Sequence, residues 1–282
     1  MIKAKKQFGQ NFLKDTSVLT KIIQSMPHNE TNALVEIGPG LGDLTQKLLQ
    51  VKSVTAYEVD DELSALLKKT FRDALHEGRL VLQETDVLEA WRSLGNLSDK
   101  SYDLVANLPY YIATTIILNA LKDKKCKSMT VMIQKEVAEK FSANVGDKEF
   151  SSLAILAQTL GPVRLMFDVP PESFDPAPKV VSSVIRFDKQ REFVSDDDSG
   201  VFSSMEAYQE FESYLKYAFN SPRKTMIKNL SARYDKALLL SLFEQLELGA
   251  TLRPHQVDTA THHHLFNKLT KVIDNGNKRP GQ

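Results

Sequence analysis

Short apolar runs alternate with helical patterns through the first two-thirds of the chain. Between the runs, stretches such as DELSALLKKTFRDAL (61–75) place apolar residues three and four positions apart, the spacing of an amphipathic helix. Strands that alternate with crossover helices predict an α/β fold, in which helices cover both faces of an open, mostly parallel sheet. Seven runs qualify as strands: ALVEIG (33–38), SVTAYEV (53–59), RLVLQETD (79–86), YDLVAN (102–107), MTVMIQ (129–134), VRLMFDV (163–169) and SSVIRF (182–187).

The pattern changes towards the C-terminus. The last two runs are joined only by the proline-rich VPPESFDPAPKV (169–180), so we expect them to form an antiparallel pair at one edge of the sheet. The polar, acidic segment 188–203 is typical of a linker, and only helical patterns follow it. The sequence therefore predicts two domains, a sheet domain over residues 1–190 and a small all-helical domain over residues 200–282.

Composition excludes several classes of protein. The only cysteine, Cys126, rules out an internal disulfide and a CxxC zinc motif. The sequence has no apolar run of the ~18 residues that a membrane span needs, and its N-terminus lacks the apolar region of a signal peptide. We therefore expect a cytoplasmic protein with neither a membrane nor a metal partner. His262, His263 and His264 would point about 100° apart on a helix, so we expect a surface segment there rather than a metal site.

Charge is balanced overall but unevenly distributed. Lys and Arg together number 36, as do Asp and Glu, so the total gives no sign of a polyanionic partner. Residues 1–24, however, contain five lysines and one aspartate, and residues 216–236 contain six basic residues and one aspartate. Residues 192–212 contain seven acidic residues and no basic one. This distribution favours one face that meets a polyanion and another that faces water, although scattered solvated charge is the alternative.

The segment ALVEIGPGLGDLT (33–45) places three glycines between a strand and a helix. Gly38, Gly40 and Gly42 allow a tight turn and let a ligand approach the backbone closely. Their spacing is G-x-G-x-G rather than the dinucleotide pattern G-x-G-x-x-G, and Pro39 removes an amide that would bind a pyrophosphate. The turn therefore predicts a ligand site and disfavours NAD.

Acidic residues end the next two predicted strands. Glu58 can accept hydrogen bonds from the hydroxyls of a ribose, and Asp86 can accept one from the exocyclic amine of an adenine. Taken alone, each could equally be a helix N-cap or a solvated charge. Because these strand ends meet at one edge of the sheet beside Gly38, their order favours an adenosine derivative without a pyrophosphate. S-adenosylmethionine fits that description.

The fourth strand ends in DLVANLPYYI (103–112), where an amide, a proline and two tyrosines follow an apolar run. An adenine amine is a weak nucleophile because its lone pair is delocalised into the ring. The side-chain carbonyl of Asn107 and the backbone carbonyl of Leu108 can each accept one N–H and free the lone pair for attack on a sulfonium methyl group. Pro109 stiffens this turn, and Tyr110 offers a ring for stacking. A plain strand-to-loop turn is the alternative.

Six motifs are specific in combination: FGQNFL (8–13), EIGPGLGDLT (36–45), NLPYYI (107–112), QKEVAEKF (134–141), FDPAPKVVSSV (174–184) and RKTMIKNL (223–230). Together they resemble the ribosomal RNA adenine N6-dimethyltransferase family, from residue 5 to about residue 260. The resemblance implies the Rossmann-like class I SAM-dependent methyltransferase fold. This fold has a seven-stranded, mostly parallel sheet, and here a small C-terminal all-helical domain would follow it.

The resemblance also implies which residues bind the cofactor. Asn11 and Leu13 would close over S-adenosylmethionine, and the turn that contains Gly38 and Gly40 would lie against it. The two acidic strand ends would hold its ribose and its adenine.

For the acceptor, the resemblance implies that Asn107 meets both the cofactor and the amine to be methylated. Tyr110 and Phe174 would sandwich the target adenine, and Pro176 and Pro178 would shape the loop that carries Phe174. Without the motif, a core position would be the more natural interpretation of Phe174.

The implied substrate is a pair of adjacent adenosines in the 3′-terminal hairpin loop of small-subunit rRNA, each methylated twice, in a nearly assembled small ribosomal subunit. A base in a loop leaves its stack at a lower cost than a paired base. Phosphate contacts are then predicted for Lys5, Lys6, Arg223, Lys224 and Lys228. The helical domain would dock on the particle, the neutral total charge suits rRNA presented within a particle, and we expect a monomer.

Three alternatives remain open from the sequence. An antibiotic-resistance methylase acting on large-subunit rRNA shares the fold, and a kasugamycin phenotype rather than a macrolide phenotype would separate the two. A non-catalytic nucleic-acid-binding relative is disfavoured by the intact strand-end residues. A methyltransferase for DNA adenine or for a side-chain amide would also use N-x-P-Y, but it has no use for FDPAPKV or for the helical segment.

Overall fold

The computed structural model describes Lys5 and residues 10–195 and 199–274. Its contacts divide the chain into two compact units, Met1–Ala138 with Gly161–Gln190, and Glu139–Leu160 with Arg191–Gln282. The predicted sheet domain, 1–190, thus contains a segment that the contacts group with the second unit. The reason is the helix Ser152–Leu160, whose apolar residues pack against other helices of the second unit.

The sheet of the first unit has the predicted strands. Within the described residues the strands are β1 (Phe12–Leu13), β2 (Ala33–Ile37), β3 (Val54–Glu58), β4 (Leu80–Glu84), β5 (Tyr102–Asn107), β6 (Cys126–Gln134), β7 (Val163–Val169), β8 (Phe174–Asp175) and β9 (Ser182–Asp188). Seven of them form one sheet in the order β4-β3-β2-β5-β6-β9-β7. The first five strands in that order, β4, β3, β2, β5 and β6, are parallel to one another. Strand β9 pairs antiparallel with both β6 and β7. The seven predicted strands and the antiparallel edge pair are confirmed.

Helices cover the sheet and build the second unit. They are α1 (Thr16–Ser25), α2 (Asp43–Leu48), α3 (Asp61–Thr70), α4 (Arg72–His76), α5 (Val87–Leu94), α6 (Ala113–Lys122), α7 (Lys135–Ser142), α8 (Ser152–Leu160), α9 (Met205–Ala218), α10 (Met226–Leu230), α11 (Lys236–Gln245) and α12 (Thr259–Asp274). Val35, Leu104 and Val131 on the central strands are fully buried, as expected for parallel strands covered on both faces.

The strands β1 and β8 form a short antiparallel pair that the sequence did not predict. Leu13 lies opposite Phe174, and the Lys14 backbone N–H donates to the Ser173 carbonyl at 2.9 Å. Strands of two residues carry no periodic pattern, so periodicity could not identify them. The pair holds the N-terminal segment against the loop after β7.

The third glycine of the turn is required for packing. Gly42 has φ +89°, and a Cβ added there would lie 2.5 Å from a ring carbon of Phe71. We expect Gly42→Ala to lower the free energy of unfolding by about 2–4 kcal/mol, because the left-handed backbone costs ~1 kcal/mol and the overpacking costs a further ~1–3 kcal/mol. Urea unfolding measures the change.

Gly78 is the matched control, since its φ is +69° and a Cβ there would meet nothing within 4 Å. Gly78→Ala should therefore lose only the backbone term, about 1 kcal/mol. Equal losses for the two variants would contradict the packing argument.

The second unit has an aromatic core. The rings of Phe211 and His263 are stacked, with their centroids 4.2 Å apart. The centroids of three further rings lie 5.2 to 5.9 Å from that of Phe211: Phe202, Tyr214 and Phe266. Most of these rings lie on α9 and α12, so the aromatic cluster holds those two helices together.

The prediction that His262, His263 and His264 form a surface segment is wrong for the first two of them. His262 is fully buried and His263 is half-buried against Phe211, whereas His264 is exposed, because the packed side of α12 includes the first two histidines. The His262 ring lies 3.1 Å from the Tyr214 hydroxyl and 3.2 Å from the Pro254 carbonyl. Since the carbonyl can only accept, His262 Nε2 carries a proton and Nδ1 accepts from Tyr214. Burial lowers the pKa of His262 to about 4.

This histidine makes the second unit sensitive to acid. An unfolded histidine titrates near 6.5, so the stability due to neutral His262 is present above that pH and is lost as the pH falls towards 4. We expect a loss of about 2 kcal/mol at pH 5. Unfolding measured between pH 7.5 and 5 tests this. His262→Gln should reduce the pH dependence without abolishing it, because burial also lowers the pKa of His263 to about 4, and exposed His264→Gln should retain it in full. An unchanged slope in His262→Gln would contradict the assignment.

Candidate active site

A cleft opens at the carboxyl edge of β2, β3 and β5, beside the loop after β4, and encloses about 920 Å³ including its open mouth. The structure brings nine of the predicted site residues around this cleft: Asn11, Gly38, Gly40, Glu58, Asp86, Asn107, Leu108, Pro109 and Tyr110. All but Asn11, which precedes β1, come from the ends of neighbouring parallel strands or from the loops that follow them, as the order of the sheet requires.

The glycine turn forms the floor of the cleft. Gly38 has φ +66°, and its N–H donates to the Tyr57 carbonyl at 2.9 Å. A Cβ at Gly38 would meet nothing within 4 Å, so the backbone there is open to a ligand. At Gly40, a Cβ would lie 3.2 Å from the Phe12 ring, which therefore packs directly on the turn.

Glu58 is a buried acceptor at the end of β3. Its two carboxylate oxygens accept hydrogen bonds from the Asp60 N–H at 2.9 Å and from the Gly40 N–H at 3.2 Å. Burial raises the pKa of Glu58, and these backbone hydrogen bonds oppose that rise. Each oxygen retains a further lone pair, so the carboxylate can still accept from two hydroxyls of a ligand.

Asp86 both caps a helix and lines the cleft. One of its carboxylate oxygens accepts from the Leu88 N–H at 2.8 Å, at the start of α5. The side chain is half-buried and its second oxygen remains available to a ligand. Asp86 can therefore cap α5 and accept a hydrogen bond from an adenine amine at the same time, the two functions that the sequence left open.

Several apolar wall residues were not predicted. Val59 lines the cleft and is 47% exposed, and Val87 lines it with a largely buried side chain. Val59 directly follows Glu58 and Val87 directly follows Asp86, so the two valines provide an apolar surface beside the two acceptors. Sequence reasoning missed them because a valine just after a strand or at the start of a helix looks like core. The position immediately after each predicted acidic residue was the available signal.

The acceptor end of the cleft is formed by the end of β5. The Asn107 side-chain N–H donates to the Asn11 carbonyl at 3.1 Å, and the Leu108 N–H donates to the Met132 carbonyl at 3.0 Å. This leaves the side-chain carbonyl of Asn107 and the backbone carbonyl of Leu108 able to accept from an amine. The arrangement fixes two acceptors on one rigid turn.

Tyr110 is held at the cleft by its hydroxyl, which lies 2.7 Å from the Ser182 Oγ on β9. Burial raises the pKa of Tyr110. Its neighbour Tyr111, which was not singled out from the sequence, also lines the cleft and is 65% exposed. One anchored ring and one open ring therefore lie near the acceptor pair.

Leu13 and Phe174 lie outside this cleft. Leu13 lines a smaller neighbouring pocket that it shares with Gly38 and Asn107. Phe174 is 5% exposed and packs in the apolar core cluster that also contains Leu13 and Val169. Stacking of Phe174 on a base stays a prediction, and it requires the side chain to leave this cluster.

The smaller pocket also contains a carboxyl group that the sequence analysis did not single out. Glu36 is 1% exposed and accepts a hydrogen bond from the Thr45 hydroxyl at 2.7 Å. Burial raises the pKa of Glu36 to about 8, so the carboxyl is largely protonated at neutral pH.

The predicted phosphate-binding residues fall into three groups. Lys5 is paired with Asp60, with its Nζ at 2.8 Å from the carboxylate, so its charge is used within the protein. Lys6 lies outside the described residues. The remaining three are exposed on the second unit, beside or on α10: Arg223, Lys224 and Lys228.

Among the described residues, no helix is long and apolar enough to cross a membrane. The same residues contain no cluster of three or more His, Cys, Asp or Glu side chains that could hold a metal ion.

The fold and the cleft define a class I methyltransferase. A solved dimethyladenosine transferase from Plasmodium falciparum is 25% identical and superposes with a TM-score of 0.72, over 94% of this chain and 98% of that chain. A 23S rRNA methyltransferase, ErmE, is 22% identical with a TM-score of 0.70, over 92% of this chain and 100% of that chain, and it shares the fold.

The particular family follows from the sequence comparisons. The model of the ribosomal RNA adenine dimethylase family matches residues 1–271, so this chain belongs to that family. A Campylobacter curvus protein named ribosomal RNA small subunit methyltransferase A is 52% identical over 99% of this chain and 96% of that protein. The resemblance drawn from the six motifs is confirmed.

Proposed function

We propose that this chain transfers methyl groups from S-adenosylmethionine to N6 of two adjacent adenosines in the 3′-terminal hairpin loop of small-subunit rRNA, twice on each. The observation that carries the proposal is the pair of carbonyl acceptors at Asn107 and Leu108, fixed beside a cleft suited to an adenosine. The 52% identity to a small-subunit methyltransferase supports this choice of subunit.

The residues of the cleft fit the cofactor. Gly38 presents open backbone, and Glu58 has two lone pairs left for ribose hydroxyls. Asp86 has an oxygen for an adenine amine, and Val59 and Val87 line the same cleft with apolar side chains. When bound, S-adenosylmethionine supplies a methyl group made electrophilic by its sulfonium sulfur.

The chain's own part in the reaction is to orient the amine. Asn107 Oδ1 and the Leu108 carbonyl each accept one N–H of the adenine amine, which turns its lone pair out of conjugation with the ring. The Asn11 carbonyl holds the Asn107 amide at 3.1 Å, so the acceptor is fixed before the substrate arrives. A strong base is not required, because the methylated ammonium is acidic and loses its proton readily.

The base is held by stacking. The Tyr110 ring, anchored through Ser182 at 2.7 Å, provides one face. Phe174 provides the second face once its side chain leaves the apolar cluster. Pro109 keeps the turn between the acceptors and the ring rigid.

The particle is bound by the second unit. Arg223, Lys224 and Lys228 are exposed and contact rRNA phosphates. Lys6, which lies outside the described residues, stays a predicted phosphate contact. The protein acts as a cytoplasmic monomer on a nearly assembled small subunit, in which proteins already neutralise part of the rRNA charge. This presentation suits a chain with 36 basic and 36 acidic residues.

Methyl transfer to purified subunits tests the proposal. Radiolabelled S-adenosylmethionine is supplied with small or large subunits from a strain that lacks the modification, and the rRNA nucleosides are analysed. We expect N6,N6-dimethyladenosine in the small-subunit rRNA only. Label in the large subunit would instead support the resistance-methylase alternative, and label in neither would support a non-catalytic binding protein.

A further inference from the structure

The N-terminal segment is tied to the cofactor cleft through a buried carboxylate. The Asp60 side chain is 1% exposed and accepts from Lys5 Nζ at 2.8 Å and from Gln10 Nε2 at 3.0 Å. The Gln10 side-chain oxygen in turn accepts from the Lys5 backbone N–H at 2.8 Å. Lys5, Gln10 and Asp60 therefore form a closed ring of three contacts, which we call the Lys5 latch.

The latch connects to the ligand-binding residues on both sides. Gln10 itself lines the cleft, next to Asn11. The Asp60 backbone N–H donates to one oxygen of Glu58 at 2.9 Å, and the other oxygen accepts from the glycine turn. A continuous path of hydrogen bonds thus runs from Lys5 to the proposed ribose acceptor.

The chemistry of the latch favours a closed state that can open. Burial alone would raise the pKa of Asp60, but hydrogen bonds from Lys5 and Gln10 hold it below its usual value. A buried carboxylate without such partners is costly, so Lys5 stabilises the closed arrangement. Because the Lys5 side chain is 31% exposed, and exposed Glu62 lies 3.4 Å from its Nζ, the ammonium can move into water without crossing the protein interior.

We propose that Lys5 and Asp60 are positioning residues that hold the N-terminal wall of the cofactor cleft, and that opening of their ion pair releases the used cofactor. This inference rests on the proposed use of S-adenosylmethionine. Dimethylation of one amine consumes two methyl groups and each cofactor molecule carries one, so the cofactor is exchanged between transfers. A wall held by one ion pair and one amide contact can stay closed during transfer and open for exchange.

The test is the dissociation rate of S-adenosylhomocysteine from the full chain and from Lys5→Met, Asp60→Asn and the double variant. We expect Lys5→Met to speed dissociation about tenfold, the loss typical of a charge-assisted hydrogen bond, with little change in association. Dissociation from the double variant should be no faster than from the faster single variant, because both substitutions break the same ion pair between Lys5 and Asp60. High salt should speed dissociation from the wild type and not from Lys5→Met, which a purely structural role would not produce.

Lys68→Met is the matched control, since it removes an exposed lysine that pairs with Glu84 on the same unit, and its dissociation rate should equal that of the wild type. If Lys5→Met leaves dissociation unchanged and raises only the KM for small subunits, Lys5 is a phosphate contact and the inference fails. Additive effects of the two single substitutions would also overturn it. A wild-type chain that does not bind S-adenosylhomocysteine would overturn the proposed function itself, so the two failures are distinguishable.

Discussion

Replacing Asn107 with alanine should slow methyl transfer by a factor of about 100 to 1,000 while the protein stays folded, the cost typical of removing one fixed dipole from a reacting centre. The side-chain carbonyl of Asn107 is one of only two acceptors assigned to the amine, and the Leu108 backbone carbonyl cannot replace it. The expected loss is in kcat, because the acceptor acts when the lone pair of the amine turns toward the methyl group.

The experiment compares single-turnover rates on small subunits at saturating cofactor. The fold of Asn107→Ala is checked by thermal unfolding, and its affinity for S-adenosylhomocysteine should stay within a few-fold of the wild type. Asn119→Ala is the matched control, because that asparagine lies on α6 and its side chain donates to the Thr115 carbonyl, one turn earlier on the same helix. Near-normal turnover by Asn107→Ala would exclude the mechanism proposed for the amine.

An Asn107→Asp variant distinguishes the two parts of the side-chain amide: the carbonyl, which accepts from the adenine amine, and the NH₂, which donates to the Asn11 carbonyl. Aspartate keeps a side-chain oxygen for the amine, but it cannot donate to the Asn11 carbonyl, where the amide now donates at 3.1 Å. The carboxylate would instead place negative charge against that carbonyl. We expect a rate between those of the wild type and Asn107→Ala, because the acceptor is present but no longer held in position.

The strand ends are the part of the site that the sequence could predict. Parallel strands with crossover helices all point their carboxyl ends to one edge, so a glycine turn, two acidic residues and an amide at successive ends must meet. The structure brings Gly38, Glu58, Asp86 and Asn107 together around one cleft for this reason. The strand runs were equally predictable, since buried strands are continuous apolar segments.

Contacts between distant segments could not be predicted in the same way. Nothing in the local sequence pairs Lys5 with Asp60, and the lysine looked like one more member of a basic segment. The pairing of Leu13 with Phe174 is also invisible to periodicity, and it places the phenyl ring in the core rather than at the cleft. In each case the partner is chosen by tertiary packing, which one segment of sequence does not encode.

His262 shows how a polar residue can mislead. Three consecutive histidines suggested a solvated segment. Consecutive residues of a helix point in different directions, however, so only some of them face a core on one side of the helix. His262 is buried because the Tyr214 hydroxyl and the Pro254 carbonyl satisfy both ring nitrogens. Without knowledge of those partners, burial of a histidine cannot be inferred.

Replacing Glu58 should have a comparably large effect on the other half of the reaction, the binding of the cofactor. Glu58→Ala removes an acceptor for two ribose hydroxyls, and hydrogen bonds to a charged group contribute about 1.5–3 kcal/mol each, so we expect the Kd for S-adenosylhomocysteine to rise at least 100-fold. Glu58→Gln should also weaken binding strongly, because both carboxylate oxygens now accept from backbone N–H groups, Asp60 at 2.9 Å and Gly40 at 3.2 Å. The glutamine NH₂ would face one of those N–H donors, and two donors cannot bond to each other, so one of the two backbone hydrogen bonds would be lost.

Calorimetric titration of each variant measures the change in affinity. Glu89→Gln on α5 is the control, because the Glu89 side chain is 55% exposed and forms an ion pair with Arg92 on the same helix. Since Glu58 is assigned to the cofactor and not to the amine, kcat at saturating S-adenosylmethionine should fall far less than in Asn107→Ala. Wild-type affinity in both Glu58 variants would show that the Glu58 carboxylate does not bind the cofactor. A loss confined to kcat would mean that the carboxylate acts on the reaction, so the pair of variants tests whether the two ends of the cleft have separate functions.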